Sequence, residues 1–305
     1  MSPSLRFYTI DAFTKLPFAG NQAAVIVLDD SADHDNIAQD EPLCQRIAQE
    51  FHLSETAFAK PLPGGTESQP KYLLRWWTPT YEIPLCGHGS LATAAVLFTH
   101  YHPKAESIHF ETKKRGHLIA RRNSEDSSIS LDFPRGSLVS LSEGHRRLPK
   151  ITTAVERFIR KEQIMRVDWS DEIGAYCVEI SQDIDLPSLE VDVPGLLALK
   201  EEVILTQPAP PSSGFDIYSR VFRPDAEVPE DPVTGSAHTA LAPFWFSSPS
   251  LERLHNPSKV KETSTLRAKQ VSKRGGELMV KFDEKNRRVE LTGFAREMMK
   301  GELSL

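Results

Sequence analysis

The sequence predicts an α+β fold of two pseudo-symmetric halves, each a curved β-sheet wrapped around one central helix. The first observation behind this prediction is an internal repeat of one strand, turn and helix pattern in both halves of the chain. The second is that the helix in each copy is apolar on all sides, which is typical of a buried helix. At 305 residues, the chain also exceeds the usual size of a single core.

The repeat joins a strand containing an aromatic residue, an acidic turn with proline, a glycine step and an Ala-rich helix. The copies run from Arg75 to Phe98 and from Arg220 to Trp245. At one constant offset, the identical pairs are Glu82 and Glu230, Pro84 and Pro232, Gly87 and Gly235, Ala92 and Ala240, and Ala94 and Ala242. A duplicated fold would give Cys86 and Thr234 equivalent positions, and likewise His88 and Ser236. Chance recurrence of short turns is the alternative interpretation.

In the first half, alternating or continuous apolar runs predict strands and helical spacing predicts one further helix, at 43–51. The predicted strands are Phe7–Phe13, Ala23–Leu28, Ala57–Ala59, Lys71–Trp77, Ser107–Thr112, His117–Arg121 and Ser128–Phe133.

Residues 134–149 contain Gly, Ser and Pro without periodicity and form the predicted boundary. They divide the chain into an N-terminal half, 1–133, to which part of the C-terminal tail can return, and a C-terminal half, 134–305. The active site is expected in the cleft between them. Beyond the boundary we predict a helix at Val193–Leu199 and strands at Ala175–Ile180, Val203–Pro211, Phe215–Val221, Glu277–Phe282 and Val289–Leu291.

Composition excludes several classes of function. The net charge of −6, with Lys and Arg spread along the chain, gives no footprint for nucleic acid. No run approaches the ~20 apolar residues that span a membrane. Three widely spaced cysteines, Cys44, Cys86 and Cys177, form neither a disulfide framework nor a zinc motif, so we expect a reducing, cytoplasmic location.

The starts of the two repeated helices are candidate anion sites, because free N–H groups and the positive end of the dipole converge there. They contain Gly87 and, in the second copy, Thr234, Gly235 and Ser236. Two such ends facing one cleft would suit a small carboxylate-bearing substrate. The alternative is that the glycines only permit a tight turn.

Three side chains near these turns could carry chemistry. Glu55 precedes an apolar strand, where partial desolvation suits a carboxylate to proton transfer near neutral pH. Without the resemblance described below, the sequence favours a capping or solvated turn carboxylate at this position. His88 could be a core histidine, and Asp231 could cap the following helix.

Several motifs together resemble the phenazine-biosynthesis PhzF-like family, which shares the diaminopimelate epimerase fold. They are, in chain order, Ile10–Phe13, Phe18–Asn21, Ser54–Phe58, Cys86–His88, Glu230–His238, Arg274–Leu278 and Val289–Gly293. The resemblance implies two β-barrel halves around central helices, a site between them and a homodimer.

The resemblance also implies roles for single residues. The glutamate that matches Glu55 is the family's general acid/base, and the residues that match His88, Asp231 and Ser236 line the same pocket. Five positions match residues that hold the substrate: Asn21, Ser54, Gly87, Thr234 and Gly235. The family uses no cofactor and no metal. The sequence itself contains no dinucleotide-binding glycine motif and no histidines at metal-ligand spacing.

One departure concerns the epimerases of this fold, which carry a cysteine in each half. Here Cys86 is matched by Thr234, whose hydroxyl cannot replace a thiol in two-base racemisation. The leading hypothesis is therefore a cofactor-independent isomerase that shifts a proton within a small carboxylate or enol-type metabolite. The alternatives are an epimerase or racemase that uses Cys86, and a catalytically silent binding or scaffold protein. We further predict that Glu55, His88 and Asp231 converge on one cleft.

Overall fold

A computed structural model of the chain describes residues 4–29, 31–113, 116–224 and 229–305. The chain forms two compact units. The first unit is Met1–Asp132 together with Thr292–Leu305, and the second unit is Phe133–Leu291. No helix within the described ranges is both long and apolar enough to cross a membrane.

The first unit contains nine strands and three α-helices among its described residues. Its strands are β1 (Ser4–Ala12), β2 (Asn21–Val27), β3 (Glu55–Leu62), β4 (Lys71–Trp77), β5 (Glu82–Ile83), β6 (Ser107–Thr112), β7 (Gly116–Arg122), β8 (Ile129–Pro134) and, from the C-terminal tail, β18 (Ala295–Ser304). Its helices are α1 (Ala32–Gln39), α2 (Glu41–Phe51) and α3 (Gly87–Val96), the last continued by a π-helical turn, Leu97–Tyr101.

The sheet of this unit is mostly antiparallel, with two parallel pairings. Strand β1 lies between β18 and β2, antiparallel to both. Strands β2 and β3 are parallel, and β4 is antiparallel to β3 and β5. Strand β6 runs parallel to β4, and β7 and β8 follow antiparallel. Asn21 and Glu55 begin the parallel neighbours β2 and β3, so this order brings them close together.

Helix α3 is the core of the first unit. Nine of its ten residues are buried, and it packs against β1, β2, β3 and β18. Because most of its residues are Gly, Ala, Ser or Thr, the surrounding strands can approach the helix backbone closely. The apolar, all-buried character predicted for this helix is confirmed.

The second unit contains the remaining strands and helices. Its strands are β9 (Val139–Ser140), β10 (Ile164–Ser170), β11 (Ala175–Ile180), β12 (Glu202–Pro208), β13 (Ile217–Phe222), β14 (Glu230–Asp231), β15 (Thr265–Gln270), β16 (Gly276–Asp283) and β17 (Arg288–Gly293). Its α-helices are α4 (Leu148–Val155), α5 (Val193–Leu197), the buried α6 (Gly235–Trp245) and α7 (Pro257–Thr263).

The strand directions of the second unit repeat those of the first. From β10 to β16 they run antiparallel, parallel, antiparallel, antiparallel, parallel and antiparallel, as they do from β1 to β7. Each copy also holds its acidic turn with an arginine. Arg75 Nε donates to Glu82 Oε1 at 2.6 Å, and Arg220 Nε donates to Glu230 Oε1 at 2.6 Å. The repeat is therefore structural rather than a chance recurrence of turns.

Several elements were not predicted from sequence. Helices α1, α4 and α7 and strands β10, β15 and β18 went unpredicted, and residues 134–149 contain β9 and the start of α4. Glu55 also lies inside a strand rather than before one, because β3 begins at this residue.

Candidate active site

A buried carboxylate–imidazole pair lies at the start of helix α3. Glu55 is the first residue of β3 and is 1% exposed, and His88 is the second residue of α3 and is 3% exposed. Glu55 Oε2 lies 2.8 Å from His88 Nε2, a normal distance for a charge-assisted hydrogen bond. The pair forms because α3 packs directly against β3.

Two polar side chains complete the surroundings of the His88 ring. Asn21 Nδ2 lies 3.2 Å from Nδ1, and Ser54 Oγ lies 3.3 Å from Nε2. The two also bond each other, since Ser54 Oγ donates to Asn21 Oδ1 at 3.2 Å. The predicted residues Asn21, Ser54, Glu55 and His88 thus form one cluster within the first unit.

Cys86 is the N-cap of α3, and Gly87 is the first helical residue. The Cys86 sulfur accepts a hydrogen bond from the Gly89 amide at 3.2 Å. The same sulfur lies 3.5 Å from His88 Nδ1. The thiol therefore has a structural role as a helix cap, although it also contacts the ring.

The protonation of this cluster is set by burial and by its own members. Burial raises the pKa of the Cys86 thiol, against the opposing effect of His88, so the thiol form is favoured. Burial lowers the pKa of His88, but Cys86 and Glu55 together outweigh it and raise that pKa well above 6.5. When Cys86 is an uncharged thiol, the Glu55 carboxylate is the group that draws a proton to the ring.

Glu55, Cys86 and His88 are the one group of described residues whose donor atoms could surround a metal ion, since all lie within 4.8 Å of one another. Two ligands of a tetrahedral ion stand about 3.3 Å apart, given metal–ligand bonds of about 2.0–2.1 Å. The 2.8 Å between Glu55 and His88 is shorter than that separation. A metal also requires a thiolate, which burial of Cys86 disfavours. This arrangement suits a shared proton better than an ion.

In the second unit, the candidate residues surround the start of α6. Thr234 is the N-cap, as Cys86 is in α3, but its side chain does not cap the helix. Its hydroxyl donates instead to Asp231 Oδ2. Gly235 begins the helix, and Ser236 follows it half-buried. Asp231 therefore holds the Thr234 hydroxyl beside the start of α6.

Gln270 is a member of this second cluster that sequence analysis missed. It ends β15 and is fully buried. Its Oε1 accepts from the Thr234 amide at 2.9 Å, and its Nε2 donates to the Asp231 carbonyl at 2.6 Å. The available signal was a polar residue at a buried position of a strand that leads to the glycine turn at 275–276. The convergence of Asp231 with Glu55 and His88 stays a prediction.

Comparison with known proteins assigns the family. The sequence profile of the phenazine biosynthesis-like protein family matches residues 10–301. The chain belongs to the phenazine biosynthesis-like family. A phenazine biosynthesis-like domain-containing protein of Bos taurus is 35% identical over 314 residues, covering 98% of this chain and 99% of the relative.

Two further relatives bear on fold and activity. An uncharacterized isomerase of Halalkalibacterium halodurans is 34% identical over 310 residues, with 98% of each chain covered. A crystal structure from Enterococcus faecalis superposes with a TM-score of 0.77 at 32% identity, covering 99% of this chain and 100% of that one. The resemblance and the predicted fold class are confirmed, and these likenesses support an isomerase role for this chain.

Proposed function

We propose that this chain is a cofactor-independent isomerase that moves a proton within a small carboxylate or enol-type metabolite, with Glu55 as general acid/base. The observation that carries the proposal is the 2.8 Å contact between the buried Glu55 carboxylate and His88. A carboxylate removed from water and paired with one imidazole is a favourable arrangement for taking up and returning a proton.

His88 supports Glu55 in this proposal. Its Nε2 lies 2.8 Å from the carboxylate, so a proton on that nitrogen stabilises the ionised form by its positive partial charge. The same contact fixes the position of the carboxylate relative to α3. Glu55 begins a strand that is hydrogen-bonded on both sides, so the group that carries the proton is also held rigidly.

The first turn of α3 supplies the second part of the proposal. A proton removed next to a carbonyl leaves negative charge on the substrate, and backbone N–H groups at a helix start stabilise such charge. Gly87 lies at this turn without a side chain to obstruct a ligand. We assign the charge-stabilising role to this helix end.

The residue equivalent to Cys86 in the second copy of the repeat, Thr234, favours a mechanism with one base over a mechanism with two. A two-base racemase exchanges protons between two thiols, whereas Thr234 occupies the second position and its hydroxyl bonds Asp231. Cys86 is itself in a pocket that favours the protonated thiol. Glu55 needs neither group to shift a proton along one face of a substrate.

The assembly and location of the protein remain part of the proposal. A homodimer is expected from the family resemblance. All three cysteines, Cys44, Cys86 and Cys177, are buried and free in the structure. This state suits a reducing, cytoplasmic environment.

The test is exchange of substrate protons with solvent. The protein is incubated in D₂O with single members of a panel of unsaturated, 2-hydroxy and 2-amino carboxylic acids, and deuterium uptake is followed by mass spectrometry. Small acids that co-purify with the protein and are released on denaturation join the panel. For an acid that exchanges, we expect Glu55→Gln to slow uptake by about 10²–10⁴-fold, the usual contribution of a general acid/base.

Glu50→Gln is the matched control, because it makes the same chemical change at an exposed position on α2. It should exchange at the wild-type rate. If Glu55→Gln also exchanges at close to that rate, the chemistry belongs to another residue, with His88 the next candidate. Binding of an acid without any exchange would favour the silent binding protein instead.

A further inference from the structure

The hydrogen-bonding chemistry of Asn21 restricts where the His88 ring carries its proton. Asn21 is 1% exposed, and its Nδ2 lies 3.2 Å from His88 Nδ1. An amide NH₂ group can only donate, so the ring nitrogen that faces it must accept. With a lone pair on Nδ1, a neutral ring carries its single proton on Nε2, the nitrogen that faces Glu55.

The orientation of this amide is fixed by Ser54. The Ser54 hydroxyl lies 3.2 Å from Asn21 Oδ1 and 3.0 Å from the Gln22 carbonyl. Both of these oxygens can only accept, so the single hydroxyl proton lies on their side of Oγ and is shared between them. The lone pairs of Ser54 Oγ are then free to accept from His88 Nε2–H at 3.3 Å. These donor directions are compatible with the contacts among Asn21, Ser54 and His88.

We propose that Asn21 is a positioning residue for His88, and that its Ser54-oriented amide keeps the ring proton on Nε2 facing Glu55. This role is additional to the substrate contact predicted from sequence for both residues. It concerns the hydrogen bonding of one ring and holds whichever reaction the site performs.

Asn21 and Glu55 act on the ring in opposite directions. Glu55 on β3 draws a proton to His88, and Cys86, the other titratable group that contacts the ring, adds to this attraction only as a thiolate. A second ring proton on Nδ1 would face the Asn21 NH₂ group, donor against donor. The amide can relieve this clash only by turning over, which ends its acceptance from Ser54.

The charge of the His88 ring determines how readily Glu55 accepts a proton. A ring that stays neutral leaves the adjacent carboxylate without a full positive charge beside it, and so leaves it more basic. A permanently charged ring would hold Glu55 in the ionised state and weaken it as a base. Asn21 therefore influences proton transfer without touching the reacting atoms.

The test is nitrogen-15 NMR of the ring in histidine-labelled protein as a function of pH, with His88→Gln used to assign the His88 signals. The two ring nitrogens have well-separated shifts when one is bare and similar shifts when both are protonated. In the wild type we expect a neutral ring whose bare nitrogen is Nδ1. In Asn21→Asp, where the amide is replaced by an acceptor, we expect a proton on Nδ1 and a titration midpoint at least about one pH unit higher.

Gln22→Glu is the matched control, because it introduces the same charge one residue away on the opposite face of β2. It should shift the midpoint much less than Asn21→Asp does. Ser54→Ala is a second variant that adds no charge. It should raise the titration midpoint of His88, because the Asn21 amide is then free to turn over. A wild-type ring with a proton on Nδ1 throughout the folded pH range would overturn the proposal. So would an unchanged midpoint and unchanged ring signals in both Asn21→Asp and Ser54→Ala.

Discussion

Replacing Gly89 with alanine tests how tightly the start of α3 is packed. Gly89 is the third residue of this helix and is fully enclosed. A Cβ at this position would lie 2.9 Å from Trp76 Cδ1 and 3.0 Å from Cys86 Sγ. Both distances are at or below the closest approach of real Cβ atoms. The indole belongs to the central strand β4 and is 1% exposed, so it has little room to withdraw.

Two opposing effects decide the sign of the change. In an ordinary helix interior, Gly→Ala stabilises by about 1 kcal/mol. Overpacking of a tight core costs about 1–3 kcal/mol. The added Cβ would overlap two buried neighbours at once. We therefore expect the overpacking cost to exceed the gain in helix propensity, with a net destabilisation of roughly 1–2 kcal/mol. The displaced Cys86 sulfur would also disturb the ring of His88, which lies 3.5 Å from it.

The assay is urea unfolding followed by far-UV circular dichroism, with Trp76→Phe as the partner in a double-mutant cycle. Trp76 Nε1 has no hydrogen-bond partner among the described residues, so Trp76→Phe removes bulk without breaking a bond. In that background, the cost of Gly89→Ala should fall by at least about 0.5 kcal/mol, as expected for residues in contact. A Gly89→Ala protein that is more stable than the wild type would refute this account of the packing.

Two further predictions address Cys86 and His238. Cys86→Ser should keep most of the deuterium-exchange activity, because serine still caps α3 and the proposed reaction needs no thiol; a loss as large as that in Glu55→Gln would favour the racemase alternative. His238 is fully buried on α6 with Nδ1 2.8 Å from the Thr234 carbonyl, and burial lowers its pKa to about 4. The unfolded chain takes up this proton near pH 6.5, so stability should fall as the pH drops from about 6.5 to 4, by on the order of 3 kcal/mol in full. In urea unfolding at a series of pH values, the free energy of unfolding of His238→Gln should fall less towards acid pH than that of the wild type. An equal fall in both proteins would contradict a neutral, buried His238.

The fold was largely predictable because its strongest signals are local and repeated. Strands Lys71–Trp77 and Ser107–Thr112 were predicted with the bounds that β4 and β6 have, since in both apolar residues recur at alternate positions between turn residues. The missed elements lack such signals. Strand β18 has no buried residue and carries charges on both faces, so no apolar alternation marks it. Its place in the sheet comes from pairing with β1 at the far end of the chain.

The members of the cluster around His88 were predicted one by one, but their contacts were not. Family resemblance singled out Asn21, Ser54, Glu55 and His88, yet nothing in the sequence indicates that the first two bond the His88 ring. That contact depends on the parallel register of β2 and β3, which sets Ala23 opposite Glu55. Register is a tertiary property, determined by which faces of both strands are buried. Gln270 was missed for the same reason, since it reaches Thr234 across 36 residues of chain.

The two halves of the repeat use one backbone frame for different chemistry. In both, an arginine holds an acidic turn, and the next residues lead into a buried helix. In the first half, a cysteine sulfur caps that helix, and a histidine in its first turn pairs with Glu55. In the second half, the capping position belongs to a threonine whose hydroxyl and amide are committed to Asp231 and Gln270. A symmetric pair of thiols would make the two faces of a substrate equivalent. This asymmetry removes that equivalence, which is why we place proton transfer on the Glu55 side alone.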